Sequence, residues 1–264
     1  MGPFTFTITI IIIMATSATF LLELAHALSP SAPPPKIYTT ASAIPDPPSP
    51  DKPFVPSPFD DFLLSIFRWT LQRQSGVIHP EVKGFEGMIS ELHELRQMKG
   101  TDELERVSSQ TMTALAGPIP FIYRNLFAEW EATPELLAWF ASQFLTFLVG
   151  DMELTSLDEN DGRCSSDSSK GGGLLVKRCR VLEQSNCKGI CAKMCKVPTE
   201  RFFAERWGIP LSMEPNFETG ACQLRFGVEP MDIGKDPTIP SGCLNRCPRM
   251  TSGIEPNSSG ASEC

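Results

Sequence analysis

The stretch Cys187-Lys188-Gly189-Ile190-Cys191-Ala192-Lys193-Met194-Cys195 decides how the second half of this chain is read. Cysteines at i, i+4 and i+8 lie on one helical face. In an unbroken helix the outer two are separated by roughly 12 Å of rise. Metal–sulfur bonds of roughly 2.3 Å cannot bridge that gap to one ion. All three can serve one metal only if the helix breaks, and Gly189 is the expected break because glycine is a poor helix residue. A cluster of several irons relaxes the distance limit, as does pairing with other thiols. Those are at hand, since Cys179, Cys222, Cys243 and Cys247 complete a set of seven candidate metal ligands. The competing reading is a disulfide framework, and the compartment decides between the two.

Outward from the cysteines, Leu174–Lys177 reads as a strand or extended entry, and Thr199–Arg206 as a helix beginning after Pro198 and closed by Gly208. Leu211 and Met213 alternate, as do Cys222, Leu224 and Phe226, with turn residues between, which predicts a small hairpin. Glu214 and Glu218 in that turn are candidate hard ligands, or simply solvated carboxylates.

The region before is helical. Ser57-Pro58 is an N-cap with proline at the first helical position, and Phe62, Leu63, Ile66, Phe67 and Leu71 follow at helical spacing up to Gly76. A second helix is expected over Phe85–Met98, a third capped by Thr101, and a short aromatic one over Phe121–Trp130 after the Gly117-Pro118-Ile119-Pro120 break. The fifth starts at Thr133-Pro134-Glu135 and runs to Gly150. Its apolar residues nearly encircle it, which fits either a core helix or one wall of an apolar slot. Trp139, Phe140, Phe144 and Phe147 are the candidate substrate-contacting residues on it.

The leader is a targeting element. An apolar run from Phe4 to Leu24 precedes Ala25-His26-Ala27, a cleavage pattern, so 1–27 is expected to be a signal peptide. Residues 28–58 are proline-rich and read as a transit segment or linker. A helical domain over 59–150, a flexible acidic and glycine-rich loop over 151–173, a cysteine-rich domain over 174–250 and a disordered tail over 251–264 complete the organisation. The fold class expected is mainly α, of the α+β kind: an N-terminal helical bundle, then a small cysteine-rich metal-binding region with a short hairpin.

With 264 residues and a formal net charge of −8, the chain has no dense Lys/Arg run, and nucleic acid is not an expected partner. Beyond the leader the histidines are His79 and His93, with His93 expected to face solvent, too few for a two-histidine iron site. No Ser-His-Asp motif and no glycine-rich nucleotide fingerprint is present. A zinc or iron–sulfur interaction module and a secreted disulfide-stabilised binding protein remain as readings of the residues alone.

The motifs Lys177-Arg-Cys-Arg-x-Leu-Glu183, the cysteine triplet, Cys195-Lys-x-Pro-Thr199, Met213-Glu-Pro-Asn-Phe-Glu218 and Cys222-Gln-x-x-Phe-Gly227 resemble the C-terminal domain of the plastid β-carotene 9-isomerases, the Dwarf-twenty-seven family. Cys243 and Cys247 fit that family's C-terminal cysteines, and the resemblance spans roughly residues 60 to 250. It implies a plastid iron protein, mononuclear or iron–sulfur, that interconverts cis and trans carotenoids, a reaction that opens strigolactone synthesis in land plants. It also implies a carotenoid substrate, with contact to a plastid membrane. The leader departs from the land-plant pattern: a signal peptide followed by a hydroxylated, weakly charged segment resembles the bipartite presequences of algae with secondary plastids.

Overall fold

Ser57 starts the first helix, α1 (Pro58–Ser75), with a reciprocal cap: its hydroxyl accepts from the Asp60 N–H at 3.2 Å, and the Asp60 carboxylate accepts from the Ser57 N–H at 2.9 Å. Gly76 closes it in the left-handed conformation, with φ 72°, at no steric cost. The computed structural model describes residues 54–127, 133–156 and 172–239; the leader, the proline-rich segment up to residue 53, Trp130, and the Cys243/Cys247 pair lie outside the described residues.

Two helices of 16 residues each pack with the 18-residue α1. They are α2 (Gly84–Lys99) and α3 (Thr101–Ala116), each a residue or two longer than the sequence suggests, and Gly100 rather than Thr101 occupies the cap of α3. Glu91, 2% exposed, ties α1 to α2. Its carboxylate takes Arg68 Nη2 at 2.7 Å, Gln72 Nε2 at 2.6 Å and the His79 N–H at 3.1 Å. The buried carboxylate is thus paired with a guanidinium and hydrogen-bonded by two further donors, which offsets its desolvation.

The short helix α4 (Ile119–Phe127) begins inside the expected break, since proline at its second position needs no N–H partner. The fifth predicted helix is two. α5 (Thr133–Phe144) stops, Leu145 leaves helical geometry, and α6 (Thr146–Val149) follows. The corner is held by tertiary bonds: Thr146 Oγ1 donates to Asp60 at 2.9 Å, and Arg180 donates to the Phe147 carbonyl at 2.7 Å.

The predicted hairpin is half of a four-stranded antiparallel sheet, order β1-β2-β4-β3. The strands are β1 (Met152–Ser156), β2 (Gly172–Val176), β3 (Leu211–Pro215) and β4 (Cys222–Phe226). The expected loop over 151–173 is thus corrected at both ends, where it carries β1 and opens β2. Register pairs Leu154 with Leu174, Leu174 with Leu224, and Leu224 with Met213, so these side chains share one face. Gly172 lies on it too, and a Cβ there would meet α5 at 2.5–2.9 Å, which only glycine avoids. The opposite face holds the polar set Thr155, Gln223, Arg225 and Glu214, with Gln223 donating to Thr155 at 3.0 Å and Arg225 facing Glu214 at 3.2 Å.

After β2 come α7 (Arg180–Ser185) and a longer helical run. The run comprises α8 (Lys188–Ile190), a π-helical turn (Cys191–Lys196), α9 (Val197–Phe202) and a second π turn (Phe203–Trp207). It covers the β3/β4 side of the face that α5 covers on the β1/β2 side: Phe203 meets Phe226 edge-on at 5.4 Å. One hydrophobic cluster, reaching from Leu64 to Phe226, joins the early helices to the sheet. Among the described residues, no helix is long and apolar enough to cross a membrane.

Candidate functional site

Two of the thiols are placed by the sheet. Cys179 follows β2, and its N–H donates to the Gly220 carbonyl at 2.8 Å. Cys222 opens β4, in register with Val176 on one side and Pro215 on the other. Both therefore lie at the same end of the sheet. The other two, Cys191 and Cys195, come from the first π turn.

That turn has a cause in the sequence. Pro198 does not begin a helix, as expected, but sits within a helical run that starts ten residues earlier. Proline has no N–H for the carbonyl four residues back and crowds it. That carbonyl belongs to Met194, and its oxygen takes the Ser108 hydroxyl of α3 at 2.6 Å. The winding loosens just there, with the Val197 N–H reaching Ala192 O five residues back. Lys193 to Glu105 at 3.1 Å fixes the same turn to α3.

Cys179, Cys191, Cys195 and Cys222 form a mutually interacting set, every pair of thiols close enough to influence the other's ionisation. Burial pushes all four upward: Cys195 to about 12, and Cys191 and Cys222 well above their ordinary value, with neighbouring thiols adding to the effect. The five cysteines described are free thiols. Four neighbouring thiols, with Cys179, Cys191 and Cys222 buried and Cys195 half-buried, are a soft donor set suited to iron–sulfur or zinc chemistry. Among the described residues no three Cys, His, Asp or Glu side chains converge on the geometry of a single ion.

Cys187 stands apart. It is the N-cap of α8, and its sulfur accepts from the Ile190 N–H at 3.4 Å and from Arg96 Nη1 of α2. The expected break at Gly189 does not occur: the helix starts after Cys187 and runs through Gly189. Cys243 and Cys247 lie outside the described residues.

The candidate substrate residues divide. Phe147 is buried, edge-on to Phe67 at 5.8 Å, and belongs to the core. Trp139, Phe140 and Phe144 are half-buried and form a ladder along α5, with ring centroids 5.1 and 6.1 Å apart. The inner side of that helix is Leu137, Ala138 and Ala141. A cavity of about 510 Å³ elsewhere, lined by Arg124, Glu205 and Arg206 beside Phe121, is too charged for a hydrocarbon and holds none of these residues.

His93 is half-buried rather than solvent-facing, and burial, then Arg96, lower its pKa. His79 pairs with Glu81 at 2.9 Å and Glu94 at 2.5 Å. Glu214 faces Arg225, and Glu218 is exposed in the hairpin turn. Sequence reasoning passed over Ser108, Arg96 and Lys196. Of these only Lys196 carried a local signal, its i,i+4 spacing to Glu200.

Comparison with known proteins places this arrangement. The model of the D27-like C-terminal domain of β-carotene isomerases matches residues 147–235, which include all four clustered thiols. The chain is 26% identical over 190 residues to a chloroplastic β-carotene isomerase D27 of Medicago truncatula, covering 72% of this chain and 73% of that protein. It is 33% identical over 143 residues to the Arabidopsis thaliana protein of the same name, covering 54% of this chain and about half, 52%, of that relative. No solved structure matches the chain.

Proposed function

We propose that this chain, which resembles the chloroplastic β-carotene isomerases D27 and whose residues 147–235 match their C-terminal domain, is an isomerase interconverting cis and trans forms of a carotenoid in the plastid. The observation that carries this reading is the match of residues 147–235 to the D27-like C-terminal domain, a region that spans Cys179, Cys191, Cys195 and Cys222. The aromatic ladder of α5 precedes that region, on a helix whose inner side packs against the sheet that carries Cys222.

Cys179, Cys191, Cys195 and Cys222 are the residues that would hold iron. Their number and softness fit thiolate ligation of iron, as a single ion or as a cluster. When bound, iron supplies one-electron or Lewis-acid chemistry, either of which weakens a polyene double bond enough for rotation. The remaining work falls to the chain. Trp139, Phe140 and Phe144 would form one wall for a conjugated hydrocarbon, on a helix anchored by its buried inner row. For a carotene, which has no polar group to recognise, exclusion of water is the chief means of binding.

Plastid delivery is supported by the relatives, both named chloroplastic, and by the apolar leader followed by a proline-rich segment. A fluorescent fusion of residues 1–58 is expected to reach the plastid, and retention in the secretory pathway would refute that.

The deciding assay is chromatography of β-carotene incubated with iron-loaded and metal-free protein. The expected result is a change in the cis/trans ratio with the loaded protein only, without net oxidation. Identical isomer mixtures, with other carotenoids also unchanged, would overturn the isomerase reading.

A further inference from the structure

Lys196 directly follows Cys195, yet it is 2% exposed. Its ammonium lies 2.8 Å from Glu200 Oε1 and 2.9 Å from Asp236 Oδ2, and donates to the Met213 carbonyl. Glu200 Oε1 also accepts from the Met213 N–H at 2.8 Å. The other oxygen of Asp236 accepts from the Thr238 N–H at 2.8 Å and from its hydroxyl at 2.6 Å. One ammonium thus gathers four segments: the π turn bearing Cys191 and Cys195, the helix α9, the strand β3 beside the strand of Cys222, and the chain after β4.

As a means of stabilising a fold, a buried ion triad is poor: desolvation offsets most of the attraction, and apolar residues of the same shape would serve as well. What it supplies instead is a fixed geometry and a fixed charge. Lys196 and Glu200 both lie within electrostatic reach of Cys195 and Cys222, with opposite effects.

We propose that Lys196, clamped by Glu200 and Asp236, is the positioning residue of the four-thiol site: it holds the Cys191–Cys195 turn against β3, the strand paired with that of Cys222, and fixes the triad's charges next to that turn. The inference rests on the reading of those thiols as ligands, and deepens it. Cys187, on Arg96 at the other end of α8, serves as an internal control.

The test uses the purified chain and the variants Lys196→Met, Asp236→Asn and Glu200→Gln. Cysteine alkylation in metal-free protein under native conditions is resolved by mass spectrometry, beside iron per chain and urea midpoints. Lys196→Met and Asp236→Asn are expected to raise alkylation of Cys191, Cys195 and Cys222 at least about tenfold, as local opening replaces a closed ion triad. Cys187 is expected to keep its rate, and both variants to lose iron. Glu200→Gln, which keeps the shape and removes one negative charge, is expected to shift the reduction potential of the iron-loaded protein upward.

A fall in urea midpoint with alkylation, iron content and potential all unchanged would reduce the triad to a prop of the fold and overturn the proposal. So would a parallel rise at Cys187, which signals general loosening. Should the parent chain take up no iron while the selective alkylation pattern holds, the positioning role stands and the iron assignment falls. If Lys196→Met fails to fold, Asp236→Asn, which preserves the Lys196–Glu200 pair, decides.

Discussion

Removing single thiols separates ligands from bystanders, because the structure divides the described cysteines four to one. If Cys179, Cys191, Cys195 and Cys222 hold iron, bound metal stabilises the native state by mass action. At a metal activity of about 100 to 1,000 times the dissociation constant, that linkage is worth about 3 to 4 kcal/mol. For a folded region of this size, each kcal/mol moves the melting temperature by roughly 2 to 4 °C. Stripping the metal with a chelator is therefore expected to lower it by roughly 6 to 16 °C. Serine at any of the four positions is expected to bring the untreated protein near the stripped value and to abolish the chelator effect. Cys187→Ser is expected to weaken one contact to Arg96, a loss of about 1 kcal/mol, while leaving the chelator shift whole. Differential scanning fluorimetry with parallel elemental analysis reads both. A chelator shift that disappears in Cys187→Ser, or that survives in Cys195→Ser, would refute the division.

The Arg68–Glu91 pair is expected to behave as a closed unit: Arg68→Met or Glu91→Met alone destabilises by about 3 to 5 kcal/mol, and the double variant by less than either; additive urea midpoints would contradict it. Phe147→Ala is expected to cost about 3 to 5 kcal/mol as a core truncation. Trp139→Ala, at a half-buried site, is expected to leave iron content intact and to lower turnover of β-carotene, and unchanged turnover would remove the α5 ladder from the substrate path. His79 is raised above its ordinary value, first by its hydrogen bond to Glu81. The associated stability is full below the unfolded value near 6.5 and is lost as pH rises through the raised one. Replacing His79 by Gln is expected to flatten that slope in stability measured across neutral pH.

Signals carried by neighbouring residues were legible. The Ser57-Pro58 start and Gly76 stop of α1 need only a few adjacent side chains to work, and the structure shows that cap. The two ends of the 211–226 hairpin alternate clearly, and they pair. The strand β1 was not legible: Met152–Ser156 is short, it opens an acidic stretch, and its partner begins at Gly172. Only pairing across that gap makes it a strand. The split between α5 and α6 was hidden for a similar reason, since Asp60 and Arg180, which hold the corner, lie far away in sequence.

The site shows where local reading ends. Spacing places Cys187, Cys191 and Cys195 together only on the assumption of uniform α-helical winding from first to last. Two features remove that assumption. The helix begins after Cys187, which becomes a cap turned to Arg96, and Pro198 denies Met194 its usual donor and loosens the turn that carries the other two. The thiols that join Cys191 and Cys195 come instead from strand ends, Cys179 and Cys222, separated by more than forty residues and brought together by the β2–β4 register. A cysteine count therefore identifies the chemistry available, whereas membership in the site is decided by a proline's missing hydrogen and by strand pairing. On this reasoning Pro198, which touches no thiol in any motif sense, bears on the site as directly as a ligand does, by setting the winding between them.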